Sequence, residues 1–538
     1  MNEMSFKQRL WLTIAACLAI VWVQSLFAPP MSDAPDAGSG STGAEEAGRR
    51  GAAVADAPPG GGGPGAEPVA VVEAATEAAT TATYAARSQR IVNDAEKLAI
   101  DATNSGGGLV AHVEPLGAQF REPDGRGLDF VELDGLAQTL QVDLDPARSD
   151  VQLAEGGYLE VIEASESAFS VRRPGSGLIL TSRLSAAGGY QARLEVTVEN
   201  TSNGRQQHAL RVALRQGQAS ADTYNPHRAL CHLGADEGVD TFELDDTEDG
   251  PVAAEGAVGW IAVDRKYFLQ ALVASDLRGT CEVSRAAGES LLVNTFLAPV
   301  VALEAGEKRR YEFGVYLGAK EQSALRDFDV VSGVALEDAV DWGWFGGMSR
   351  TLGQWMLELL RYFYRLTGVW GVAILLLTVV VKLVTLPLTL KQMSSMKRMR
   401  EISPELEKIR KKYGQDRVKQ QQEMQALFSR TGVNPLAGCF PALVQMPIWI
   451  ALYAMLGTVV ELYHEPFLWL PDLTRPDPLY ALPVAMGALM FLQMRIQPMQ
   501  PTQDPAQAKM MQWMMPAFFT FMILFVPSGL GVYIFSNV

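Results

Sequence analysis

The sequence predicts a polytopic α-helical membrane protein that carries a large exported all-β sandwich domain. Three observations predict it. Apolar stretches of spanning length sit at the N-terminus and beyond residue 366, with none between. Charge is segregated: residues 31–340 sum to −23 and residues 391–430 to +6, in a chain of 538 residues with net charge −16. A soluble globular protein mixes the signs, and the acidic total argues against a nucleic-acid binder. Finally, the interval between the apolar blocks alternates polar and apolar residues over short runs, the period of a half-buried strand.

The elements follow in chain order. Residues 10–27 are uncharged and apolar, behind Lys7 and Arg9. They make about 27 Å of helix. A cleaved signal peptide is the rival reading, but a cut after Ala28 places Leu26 where a small residue is wanted, so an anchor with a cytoplasmic N-terminus is expected. Residues 29–105, rich in Ala, Gly and Pro, read as a flexible linker. The β-sandwich is expected over 106–340, with runs such as Arg193-Leu194-Glu195-Val196-Thr197-Val198 and Trp260-Ile261-Ala262-Val263. Residues 341–367 predict an amphipathic helix on the outer surface, with Leu352, Trp355, Met356, Leu359, Leu360 and Phe363 on its apolar face.

Further apolar stretches occupy 368–388, 436–460, 479–492 and 510–525. A last one, 530–538, gives about 14 Å of helix, so the sequence is expected to end inside a helix. Alternation from a cytoplasmic N-terminus puts 389–435 inside and 461–478 outside. The first of these loops is the densest basic cluster in the chain; the second holds one Arg against four acids. The positive-inside rule agrees.

No HExxH, GxSxG, P-loop or paired CxxC occurs, so neither an enzyme nor a cofactor is expected. His227, Cys231 and His232 lie close together without a fourth ligand, and no metal site is expected there. Cys231 and Cys281 are the cysteines of the exported region, either bridged or two unpaired core thiols. Residues 236–249, with eight acids, read as a solvated loop.

Three C-terminal motifs are specific: Val433-Asn434-Pro435-Leu436-Ala437-Gly438-Cys439-Phe440-Pro441, Gln445-Met446-Pro447-Ile448, and Phe525-Val526-Pro527-Ser528-Gly529-Leu530. From about Trp342 onward, with these motifs, the chain resembles the YidC/Oxa/Alb family of membrane protein insertases in its Gram-negative form. The resemblance implies a five-helix insertase core around a hydrophilic groove, plus the N-terminal anchor, and a supersandwich-like β-domain. The fold analogy to mutarotases implies no sugar chemistry.

Lys382 is the sole ionisable group in 368–388. Its Cα lies roughly 9–13 Å from the cytoplasmic interface, beyond full hydration by a stem of about 6 Å. The lysine either snorkels beside thinned lipid or faces a water-filled cavity, and the second reading is preferred. In the resembling family this position usually holds arginine; lysine keeps the charge and loses the bidentate fork. Thr378 lies one turn away on the same face. Gln445 and Tyr533 match groove-lining polar positions of the family, with interhelical hydrogen bonding as the alternative. Met511, Met514, Met515, Phe518 and Met522 offer either lipid-facing packing or an adaptable slide for substrate helices. Gly438, Cys439 and Cys17 read as packing residues without a redox role.

Basic residues Lys397, Arg398, Arg400, Lys408, Arg410, Lys411 and Lys412 belong to a helical hairpin split by Pro404 and Tyr413-Gly414. It fixes topology and touches anionic lipid. The resemblance adds nascent membrane proteins as clients, the Sec translocon as a partner, ribosome and signal-recognition contacts, and the inner membrane as location. A small-solute anion transporter is a second hypothesis, but the inverted repeats that favour it are not seen. An envelope scaffold acting through the β-domain is a third.

Overall fold

The computed structural model describes residues 84–538 apart from 94–96, 122–124, 132, 134–137, 154–156, 218–226, 235–237, 255, 257, 275–278, 287–290, 329–335, 343–345, 415, 433–439 and 497–504. The expected anchor, residues 29–83 of the linker, Cys17, Gly438 and Cys439 lie outside the described residues.

Two antiparallel sheets form the β-domain. One has eight strands in the spatial order Ser88–Val92, Leu98–Thr103, Gly108–Pro115, Thr139–Leu144, Leu210–Gly217, Leu291–Leu297, Thr280–Arg285 and Val252–Ala253. The other has nine: Gly238–Glu243, Arg228–Gly234, Trp260–Asp264, Phe268–Ala274, Lys308–Ala319, Gln191–Asn200, Leu178–Gly188, Ala168–Pro174 and Glu160–Ala164. Alternation decides which side faces inward. In Gln191–Asn200 the residues Ala192, Leu194, Val196 and Val198 are buried, and their neighbours are not. Trp260–Asp264, Phe268–Ala274 and Leu291–Leu297 are buried on both sides, as central strands are. Each fully buried aliphatic or aromatic side chain contributes about 1.5–3 kcal/mol.

Polar groups stitch the two layers together. Asn294 donates through Nδ2 to the Leu230 carbonyl (3.0 Å) and the Ala262 carbonyl (2.8 Å). Gln270 donates to Gln216 Oε1 (2.6 Å) and accepts from Thr139 (2.9 Å). Cys231 and Cys281 are disulfide-bonded with Cα atoms 6.1 Å apart, joining a strand of one sheet to a strand of the other. His232 stacks on Trp260 at 5.0 Å. Among the described residues no group of three His, Cys, Asp or Glu is placed to hold a metal.

Two sequence expectations need correction here. The sheet begins at Ser88, ahead of the expected boundary at 106, because Ile91, Leu98 and Ile100 enter the core although their strands are short. The acidic segment 236–249 is not all loop. Gly238–Glu243 pairs with Arg228–Gly234 as an edge strand, and charge on such an edge discourages pairing with another chain.

After a short helix α1 (Gln322–Arg326), the chain turns helical: α2 (Gly346–Thr367), α3 (Trp370–Glu401), α4 (Ser403–Lys412), α5 (Arg417–Thr431), α6 (Phe440–Thr458), α7 (Ala481–Ile496), α8 (Pro505–Ile523) and α9 (Ser528–Asn537). Met356, Leu357 and Leu360 form the buried face of α2, whereas Trp355 is 78% exposed. Leu352, Leu359 and Phe363 of the expected apolar face pack on the same core, so Trp355 is the member of that set turned outward. Gly353 has no Cβ where the Trp342 ring would meet it at 2.5 Å.

Among the described residues one stretch, Trp370–Lys391, is long and apolar enough to cross a bilayer, and Ala481–Arg495 is a shorter apolar helix. The α4–α5 hairpin has its own seam, with Ile402, Leu406 and Leu427 buried. Pro404 opens α4, the Asp416 side chain accepts from the Lys419 N–H (3.1 Å) to cap α5, and Gly432 closes α5 in the left-handed conformation.

Candidate functional site

The middle of α3 carries two polar side chains one turn apart. Thr378 is buried, and its hydroxyl donates to the Ile374 carbonyl (2.9 Å), satisfying itself on its own helix. It also accepts from the Ser536 hydroxyl of α9 at 3.1 Å. Lys382 donates through Nζ to the Asn537 carbonyl near the C-terminal end of α9. Lys382 nonetheless keeps an exposed side chain.

Tyr533 lies one turn before Ser536 and Asn537. Its ring is fully buried, and its hydroxyl has no hydrogen-bond partner among the described residues. An orphaned buried hydroxyl costs about 1–3 kcal/mol. Gln445 is half-buried on α6. The structure thus brings Thr378 and Lys382 together with the end of α9. Ser536 and Asn537 were missed in the sequence, although their spacing of three and four from Tyr533 puts all three on one helix face.

The methionine and phenylalanine set of α8 divides. Met514 and Phe518 are exposed, together with Phe521 and Phe525, whereas Met515 and Met522 are half-buried and Met522 packs on the helical core. At 3.6 residues per turn 514 and 518 lie on the outward side of one broad face of α8, and 515 and 522 lie on its more buried side. The side chain of Met511 lies outside the described ones. Thr520 of α8 lies where a Cβ on Gly487 of α7 would stand 2.1 Å from its hydroxyl, so these two helices cross at the glycine.

Of the bases expected on the hairpin, Lys397, Arg398 and Arg400 lie on the end of α3, which runs on to Glu401. Lys397 and Arg398 are exposed and the Arg400 side chain is outside the described ones, while on α4 Lys408, Lys411 and Lys412 are exposed and Arg410 is half-buried. Arg410, Lys411 and Lys412 close the last turn of α4, complementing its dipole. Lys411 also pairs with Glu407 at 2.7 Å, an exposed contact of little energetic weight.

The description of the 60Kd inner membrane protein family matches residues 362–538, and that of the YidC periplasmic domain matches residues 134–356. The membrane protein insertase YidC of Geotalea daltonii is 30% identical over 480 residues, spanning 86% of each chain. The chain belongs to the YidC family of membrane protein insertases. The YidC of Anaeromyxobacter dehalogenans is 42% identical over 310 residues, covering 58% of this chain and 54% of that one, so the match spans about half the length of that relative. A crystal structure of active YidC insertase with its first transmembrane domain resolved aligns with a TM-score of 0.36 and 19% identity, covering 84% of this chain and 92% of that one. A galactose mutarotase-like protein from Lactobacillus casei aligns with a TM-score of 0.32 and 10% identity, covering 43% and 100%. The two YidC family matches meet within α2: one runs to residue 356 and the other starts at residue 362.

Proposed function

We propose that this chain is an insertase and chaperone for integral membrane proteins of the inner membrane, working through a hydrophilic groove that carries one positive charge. The observation that carries the reading is Lys382, the sole charged side chain between Trp370 and Leu390 of the helix long and apolar enough to span. An ammonium held among apolar helices attracts acidic residues of an incoming chain and lowers the unfavourable free energy of moving them through a low-dielectric space. Point-charge attraction needs no bidentate fork, so lysine serves where arginine is usual. Thr378, Ser536, Tyr533 and Gln445 line the groove. The Tyr533 hydroxyl, buried without a partner among the described residues, is a polar group that an opening between α3 and α9 would expose to the groove.

In this reading α3, α6, α7, α8 and α9 are the five membrane helices, and residues 10–27 are the anchor with a cytoplasmic N-terminus. The β-domain is periplasmic, and α2 lies at the outer interface. The exposed row Met514, Phe518, Phe521 and Phe525 contacts lipid or a substrate helix. The hairpin bases contact anionic lipid and arriving nascent chains, with the Sec translocon, ribosome and signal-recognition components as partners. With no nucleotide-binding motif, apolar partitioning drives transfer, aided by the membrane potential at about 2.3 kcal/mol per charge per 100 mV.

Complementation of an insertase-depleted strain tests this, comparing Lys382, Lys382→Arg and Lys382→Ala. Arginine should retain insertion of a substrate with an acidic tail, and alanine should lower it about tenfold. Equal insertion by all three would sink the groove-charge role.

A further inference from the structure

The loop between α6 and α7 belongs to two cores at once. Val460 and Tyr463 are part of the hydrophobic core of the β-domain, whereas Val459, Leu462, Phe467, Leu470 and Leu473 are part of the helical core. A short turn at Val460–Leu462 produces this split by aiming successive side chains in different directions. Tyr463 fits an aromatic socket made by Phe120, Tyr267 and Phe268, with ring centroids at 6.0, 5.3 and 5.5 Å. Phe130 stacks behind Phe268 at 5.1 Å. Arg361 of α2 reinforces the loop through Glu461, its Nε donating at 2.9 Å.

The backbone of this loop is strained. His464, Leu468 and Tyr480 have φ of 55°, 57° and 55°; among the described non-glycine residues Leu140 alone shares a positive φ. Each such residue costs about 1–3 kcal/mol and persists only where its surroundings over-determine it. The surroundings are visible. Phe467 fills the space left by Gly371, where a Cβ would meet the ring at 2.1 Å. Asp472 accepts from the backbone and hydroxyl of Thr474 (2.7 and 2.6 Å), and Asp477 accepts from the Leu479 and Leu482 N–H groups (3.0 and 2.6 Å).

The far end of the loop is fastened to the first turn of α9. Ser528 donates its N–H to the Arg475 carbonyl and its hydroxyl to the Asp472 carbonyl, and Gly529 donates its N–H to the Leu473 carbonyl, all at 2.8 Å. These bonds satisfy N–H groups that a helix start otherwise leaves unpaired. A Cβ on Gly529 would approach the Leu473 carbonyl to 3.0 Å, so the contact depends on glycine. About 12 Å along the same helix, Ser536 meets Thr378.

We infer that the 459–480 loop is a rigid strut coupling the β-domain to α9, and that Tyr463 is a positioning residue which, through it, sets where α9 presents Ser536 and Asn537 to α3. The strut stands on contacts alone; the positioning role rests on the insertase reading.

The test uses the whole chain in lipid nanodiscs, with Cys17 and Cys439 replaced by serine and spin labels at Ile162→Cys and Tyr453→Cys. Tyr463→Ala should broaden the label distance distribution and speed hydrogen exchange in Ser528–Asn537 at least tenfold. Tyr463→Phe, which keeps the ring, should leave both within twofold of the parent. Tyr463→Leu gives the same reading if the alanine variant does not accumulate. An unchanged distance distribution would overturn the strut, and a broadened one with unchanged α9 exchange would overturn the coupling. Insertion of an acidic-tailed substrate should fall several-fold with Ala and not with Phe. If exchange responds and insertion does not, the positioning role is overturned while the strut stands. Equal activity of the Lys382 variants would fail the insertase reading separately.

Discussion

The Ser536 hydroxyl donates to Thr378 Oγ1 across 3.1 Å, joining the last described helix to the one that carries Lys382. Interhelical bonds of this kind average about 0.6 kcal/mol inside membranes. A double-mutant cycle of Thr378→Val and Ser536→Ala, followed by detergent unfolding, should give a coupling energy of that size. A coupling indistinguishable from zero would mean that the two hydroxyls are neighbours without being partners.

The Cys231–Cys281 bridge closes a loop with a sequence separation of 50. The chain-entropy estimate for such a loop is about 4 kcal/mol. Cys231→Ser, Cys281→Ser and the double variant should destabilise the β-domain by similar amounts, read from denaturant midpoints. Reductant should lower the parent's midpoint and leave the double variant unmoved.

His208 is buried, 2.8 Å from the Tyr311 hydroxyl through Nε2, and burial followed by the nearby Arg309 charge pulls its pKa down to about 4. Below about 6.5 the unfolded chain takes up a proton that the folded chain refuses until about 4. Stability should therefore fall between pH 6.5 and pH 4, by about 1–3 kcal/mol, with no contribution from this group above pH 7. His208→Gln should flatten that slope in denaturation profiles taken at pH 7 and pH 5.

Lys320 and Asp264 are both buried and paired at 2.7 Å, with Arg228 also on Asp264 at 2.9 Å. Removing one partner of a buried pair leaves an uncompensated charge. Lys320→Met should cost about 3 kcal/mol by denaturant unfolding, less if Arg228 alone neutralises the carboxylate. The double variant Lys320→Met with Asp264→Leu should recover part of the loss.

What the sequence made legible has a local periodicity. Leu194, Val196 and Val198 alternate and are buried as alternation demands, and Lys382 stands out because everything around it is apolar. Ser88–Val92 and Leu98–Thr103 escaped notice because both sit beside an Ala/Gly/Pro-rich tract, and their place in the sheet comes from pairing with each other and with Gly108–Pro115. Tyr463 was illegible for a different reason. Its partners Phe120 and Tyr267 are far away in sequence, and no spacing rule links a loop tyrosine to a sheet. Trp355 shows a third case, since helical periodicity places a residue on a face and does not say whether a neighbour covers it.

The early start of the sheet governs where the molecule can be cut. A truncation placed at the apparent boundary near residue 106 would strip Ser88–Val92 and Leu98–Thr103 from the eight-stranded sheet and leave Gly108–Pro115 with one naked backbone edge. Such an edge is a template for pairing between copies, so that fragment should precipitate or oligomerise even though its core residues are nearly all present. A clean excision of the β-domain instead takes the strands from Ser88 onward, and it leaves the Tyr463 ring in water.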